Sequence, residues 1–335
     1  MTRRLVLATI LIAGLGAGAA GAAQLKIATL APDGSFWMTE MRQGAKDIEE
    51  ATDGRVKLRI YPGGTMGNDQ AVLRKMRIGQ LHGGMMTGQS LAEVTSDLQL
   101  YGLPFLFKSY DEVDAVRERM DATLIQKLEA KGYISFGLLE GGFAYIMSNK
   151  PTTNLADFKG QKAWLPEGDI IAGAIYDAAG LSPVPLPLSD VLIGLQTGLI
   201  DTVAGPPVAA VALQWFTRTK YLTDLPILYT YGSIVVSRKA FDKLDAGDQK
   251  TVREILGRVS SRLDDRTRTD NHKAREALAK QGIEFLTVDA AKLEQWHKVG
   301  VNATNALRKQ GAVPSDLVEE LLRHLEVFRQ GNSAD

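Results

Sequence analysis

DAGDQKTVREILGRVSSRLDDRTRTDNHKAREALAKQ, residues 245–281, reads as one very long helix that stops at Gly282. Its first half carries an apolar stripe, Val252, Ile255, Leu256, Val259 and Leu263, at helical spacing. From Asp264 to Glu276 almost no apolar residue remains. A helix polar on every side bridges two bodies through solvent or is unstable. The ordered pattern on both flanks favours the bridge, and with it a chain of two lobes.

Working back toward the N-terminus, the elements alternate. Leu25, Ile27 and Leu30 begin a strand, and Pro32-Asp33-Gly34 turns it. Ser35 caps a helix to about Thr52, with Trp37, Met41, Ala45 and Ile48 on one face. Val56, Leu58 and Ile60 alternate with polar residues as a half-buried strand; 68–78 is a helix and 81–87 a strand. This order implies a largely parallel sheet with helices on its faces. A helix over 111–131 follows, then strands at 133–139 and 144–148, separated by the bent, Gly-rich segment Leu138-Leu139-Glu140-Gly141-Gly142.

The second lobe is expected to begin at 148. It holds strands at 162–165 and 200–204, and helices at 169–179, 189–197 and 207–216, and the chain returns to the first lobe just before a strand at 232–237. The predicted organisation is a leader over 1–23, lobe I over 24–147 and 232–288, and lobe II over 148–231. The bridging helix covers 245–281 and C-terminal helices cover 289–335.

The leader is read from Arg3-Arg4, the apolar run Leu5–Leu15, and small residues up to Gly21-Ala22-Ala23, with cleavage before Gln24 and export to the periplasm. Taking 23 residues from 335 leaves 312, more than a single core usually serves. Losing Arg3 and Arg4 leaves 37 basic residues against 39 acidic, a net −2. Without a basic excess, nucleic acid is not an expected partner. The chain has no cysteine, which removes disulfide and thiolate chemistry.

No enzyme pattern emerges. His82, His272, His297 and His324 stand apart at spacings that do not build a metal site. A dinucleotide-type glycine pattern at Gly16–Gly21 falls in the leader, without the strand and helix such a motif needs. No phosphate loop, nucleophile elbow or cofactor motif is present, so neither metal nor cofactor is expected. What stands out are aromatic and Pro-rich loops after strands: Leu103-Pro104-Phe105-Leu106-Phe107, Trp164-Leu165-Pro166-Glu167-Gly168-Asp169, and Gly205-Pro206-Pro207. Ligands of open α/β sheets bind beyond the strands' carboxyl ends. Such loops from two lobes would line one cleft.

These segments, in their order, resemble a known family. Ala28–Trp37 (ATLAPDGSFW), Tyr61–Gly67 (YPGGTMG), Leu103–Phe107, Ser148–Pro151, Leu155–Lys162, Leu195–Asp201 and the long helix together resemble the periplasmic solute-binding subunits of TRAP transporters, the DctP type. The resemblance implies a two-lobed α/β periplasmic-binding-protein fold (type II-like) with a long helix spanning both lobes. It implies hinge closure on a ligand and delivery to a small and a large membrane subunit that run on ion gradients. The alternative is a binding subunit of an ATP-driven importer or of a sensing receptor.

Family members carry an arginine after the Lys-Gly-x-Lys segment that clamps a ligand carboxylate. The matching position here is Trp164, and a second basic position falls near Ala144. Burying an unpaired carboxylate costs several kcal/mol. The expectation is therefore a neutral or cationic ligand, with a carboxylate left open. Trp164 is either an aromatic platform or core, and Asp169 either a ligand group or a helix N-cap. The candidate ligand-binding set is Phe36, Gln89, Phe105, Phe107, Tyr145, Trp164, Glu167, Asp169, Pro206, Pro207, Trp215 and Tyr231.

Overall fold

The structure is a computed structural model that describes residues 22–332. The expected leader lies outside the described residues except for its last two positions. Strand β1 (Ala23–Thr29) pairs in parallel with β2 (Val56–Tyr61) and β3 (Gly83–Thr87), the crossovers being α1 (Phe36–Ala51) and α2 (Asp69–Arg77). The helix starts follow from local chemistry. Ser35 Oγ accepts the Met38 amide at 3.3 Å, and Asn68 Oδ1 accepts the Ala71 amide at 2.9 Å. A short α3 (Gly88–Leu91) and a 3₁₀ stretch over Ser96–Gly102 lead into α4 (Tyr110–Ala130).

The centre of the sheet departs from the sequence reading. One strand, β4 (Tyr133–Ser148), replaces the two expected around the glycines. It pairs antiparallel with β8 (Tyr221–Ser237) along nearly its whole length. Register shifts between Ser135 and Leu138, Glu140 and Gly142, and Ala144 and Ile146 absorb the bends. Gly137 and Gly142 take positive φ there, +120° and +98°. The first half of β8 escaped the sequence reading because Asp224 and Pro226 interrupt its pattern.

Between β4 and β8 come β5 (Trp164–Pro166), α5 (Ile170–Ala179), β6 (Val184–Leu186), α6 (Val191–Thr197), β7 (Thr202–Gly205) and α7 (Pro207–Ala212). The expected helix 207–216 ends early because Gln214 turns left-handed at φ +59°. After β8 follow α8 (Arg238–Phe241), α9 (Ala246–Lys280), β9 (Glu284–Leu286), α10 (Ala290–Lys309) and α11 (Ser315–Asn332).

The main sheet runs β2-β1-β3-β8-β4-β7, with β9 beside β8, and β5-β6 form a separate pair. It is not largely parallel: β3–β8, β8–β4 and β4–β7 are all antiparallel. The reason is that β4 carries the chain out of the first lobe and β8 returns it. Two apolar clusters flank β1–β3 and the first half of β4, and two more surround β7, α6 and the outer half of β4.

Helix α9 spans 35 residues and touches both bodies. Its apolar stripe packs on α1, so closely that a Cβ on Gly44 would lie 2.5 Å from Val259 Cγ2. Leu278 belongs to a cluster of the second lobe. The polar middle is not a solvent bridge. Arg268 donates to Glu140, Asn271 Nδ2 donates to the Gly141 carbonyl at 3.0 Å, and Asn271 Oδ1 accepts the Val208 amide at 3.1 Å. That stretch is polar because it serves the bent backbone of β4.

Arg117 of α4 ties the first lobe together. It donates to Asp121, Asp264, the Tyr229 hydroxyl and the Leu138 carbonyl, with only 10% of its side chain exposed. Arg117→Met should cost about 3 kcal/mol in urea unfolding. That is the low end for breaking a buried pair, since Asp121 and Asp264 keep 24% and 31% exposure. An unchanged midpoint would contradict this.

Candidate functional site

A cavity of about 370 Å³ lies between the lobes. Loops after β1 and β3 form one wall. The β5–α5 turn, β7 and α7 form the opposite wall, and Ala144 and Ile146 of β4 lie at the back. Volumes of this size accept a small organic molecule.

All four tryptophans of the chain, Trp37, Trp164, Trp215 and Trp296, line it. Trp164 is both core and wall. It is 5% exposed, its Nε1 donates to the Leu186 carbonyl at 2.9 Å, and its ring meets Trp215 edge-on at 5.5 Å. The Tyr176 hydroxyl donates to the Trp164 carbonyl at 2.8 Å and fixes that strand end. Trp296 reaches in from α10, held by its Nε1 donating to the Thr153 carbonyl at 3.2 Å and by the rings of Phe158 and Phe105. Phe105 is placed by a left-handed backbone, φ +53°, at the end of its loop. Tyr231 donates to the Leu98 carbonyl, and its ring lies against Gly88, where a Cβ would come within 2.7 Å.

The charged lining has one sign. Asp69, Glu93, Glu140, Glu167 and Asp169 face the cavity, and among the described residues no Lys, Arg or His does. Glu140 is neutralised by Arg268, Oε2 lying 2.8 Å from Nη2. Asp69 accepts the Thr87 amide at 3.1 Å and the Thr87 hydroxyl at 3.3 Å. Burial nevertheless pushes its carboxyl above the usual range. Asp169 caps α5 by accepting the Ala172 amide at 3.0 Å, and burial raises it too. Glu167 accepts from Asn68 Nδ2 at 3.0 Å, a bond from one wall to the other. The described residues hold no group of three or more acidic or histidine side chains suited to a metal ion.

Of the sequence candidates, Gln89, Phe105, Trp164, Glu167, Asp169, Pro206, Trp215 and Tyr231 line the cavity. Phe36, Phe107, Tyr145 and Pro207 do not. Phe36 stacks on Trp37 at 4.5 Å with the Arg266 guanidinium over its ring, so the helix start turns Trp37 inward instead. Phe107 is core, packed on Tyr101 and Tyr229. Tyr145 lies on β4 between Ala144 and Ile146, and strand alternation points it to the other face, under Arg275. Pro207 is the first residue of α7 and is buried. Sequence reasoning missed Asn68, Asp69, Phe158, Tyr176 and Trp296. No shared motif marks them, because they are brought in by separate elements, Asn68 and Asp69 at the start of α2 and the others each from elsewhere.

The comparisons with known proteins agree with this architecture. The family model for bacterial extracellular solute-binding protein, family 7 (DctP), matches residues 27–310. The chain belongs to this family. A C4-dicarboxylate-binding periplasmic protein of Rhodobacter capsulatus is 27% identical over 280 residues, 81% of each chain. The fold matches the sugar acid binding protein of Advenella mimigardefordensis in complex with galactonate, with a TM-score of 0.83 and 20% identity over 91% of this chain and 98% of that one. A Bordetella pertussis extracytoplasmic solute receptor binding pyroglutamic acid gives the same TM-score and identity, over 91% and 100%. Family 7 membership makes the chain a two-lobed solute-binding protein. Among the described residues, no helix is long and apolar enough to cross a membrane.

The raised Asp69 carboxyl has a signed consequence. A carboxyl raised on folding lends stability below the ordinary carboxylate range and loses it as pH rises through the raised value. Asp69→Asn keeps the acceptor for Thr87 and should raise the thermal midpoint at pH 7 but not at pH 3. Equal shifts at the two pH values would remove burial as the cause.

Proposed function

We propose that this chain captures a small organic solute between its lobes in the periplasm and hands it to the two membrane subunits of a TRAP transporter. Residues 1–23 are read as the export leader, removed before Gln24. The role is binding rather than turnover. The change of lobe is proposed inside the strands, at Glu140–Gly142 of β4 and near Thr230 of β8, rather than at Ser148, where β4 ends. That is where the register shifts and Asn271 holds the backbone.

The solute is neutral or cationic. The observation that carries this is the lining: five carboxylates, four tryptophans and, among the described residues, no cation. The named ligands of the relatives above are acids, and an acid bound here would lack a guanidinium or ammonium partner. Trp164 stands where a clamp arginine is expected from the family resemblance, and its indole serves a ring or a cation instead.

Native mass spectrometry of protein taken from a bacterial periplasm should reveal a bound small molecule. Its addition to stripped protein should shift tryptophan fluorescence and compact the chain in small-angle scattering. Trp164→Leu should weaken that binding about 2- to 30-fold, the range of a ring contact worth 0.5–2 kcal/mol. Consumption of the molecule by pure protein would sink the binding role.

A further inference from the structure

The cavity is graded from rim to floor. At the rim stand Glu93 and Glu167, both exposed, with Asp69 and Asp169 just inside. The two pairs come from opposite walls, Asp69 and Glu93 from the α2 and α3 side, Glu167 and Asp169 from the β5–α5 turn. They are close neighbours. The Asn68–Glu167 hydrogen bond joins residues next to Asp69 and two before Asp169, and a Cβ on Gly168 would lie 4.0 Å from Glu93 Oε1. None of the four carboxylates forms an ion pair among the described residues. The Thr87 amide offsets part of the charge of Asp69, which stands in the first turn of α2, and the Ala172 amide of α5 offsets part of that of Asp169. Glu93 and Glu167 have no such position.

The floor is different. Trp164, Trp215 and Phe158 are buried there.

We infer that the solute is an organic cation with an apolar or aromatic body. Its positive group sits between the carboxylates of the two walls, and its body lies against the indole rings that line the cavity. This deepens the solute-capture reading and rests on it. It also explains how the ligand drives closure. Closing brings four carboxylates together, and like charges oppose that approach. A cation between them binds the closed form better than the open one, and only such a difference shifts the equilibrium. An anion adds to the repulsion and is rejected by the same geometry.

A matched trio separates charge from shape: tyramine, its neutral alcohol tyrosol, and 4-hydroxyphenylacetate. Fluorescence titration of the stripped protein should give tyramine a Kd at least tenfold below that of tyrosol, with the acid weakest. Glu93→Gln combined with Glu167→Gln changes two exposed residues and keeps the Asn68 acceptor. It should shrink the tyramine advantage at least fivefold, with the tyrosol Kd falling rather than rising because two fewer like charges oppose closure. Tightest binding and compaction with the acid or the alcohol would leave solute capture standing and overturn the charge inference. So would a tyramine advantage indifferent to the double substitution. A chain that compacts on none of the three, and leaves the periplasm with no bound molecule by native mass spectrometry, would overturn both.

Discussion

The antiparallel ladder between β4 and β8 is the constraint on which the rest of the molecule depends. It runs from Tyr133 opposite Ser237 to Ser148 opposite Tyr221, and each lobe is built on one half of it. Two long strands joined by backbone hydrogen bonds cannot slide, so the lobes share a fixed axis. They can bend where the ladder is irregular. At Glu140–Gly142 the register shifts, Thr230 Oγ1 donates to the Gly142 carbonyl at 2.8 Å, and Asn271 takes the neighbouring carbonyl. A side chain on Gly142 would collide with Asn271 at 2.4 Å, which explains glycine at this point beyond its positive φ.

Helix α9 makes sense only against that bend. Carbonyls and a glutamate facing inward at an irregular strand need donors, and an apolar helix face offers none. Arg268 and Asn271 supply them, with Asp264 accepting both Arg117 and the Glu140 amide. The hydrogen bonds that Arg268 donates to Asp114 and to Glu140 hold its guanidinium firmly protonated. Polar character in the middle of a long helix is thus a packing requirement of its neighbour.

The proposed solute departs from the acids of the relatives on the same fold. The relatives named above are described with acids, while here the walls offer indole rings and carboxylates. The backbone frame is the same within a TM-score of 0.83. Specificity therefore resides in the few side chains at strand ends, not in the sheet that carries them.

Where a local interaction decides the structure, the sequence alone was enough. The caps at Ser35 and Asp169, the long helix and the strand–helix alternation of residues 23–87 were all legible, because each depends on residues a few positions apart. The tertiary structure alone decided that β4 is one strand paired with β8. It turned Trp37 rather than Phe36 inward, and it set Tyr145 on the far side of its strand. It also brought Trp296 from a C-terminal helix into the cavity that Trp164 lines, and Asn68 to meet Glu167. Those outcomes depend on which face of an element meets a partner far away in the chain, and that is settled by packing and pairing between elements, which no short stretch of chain encodes.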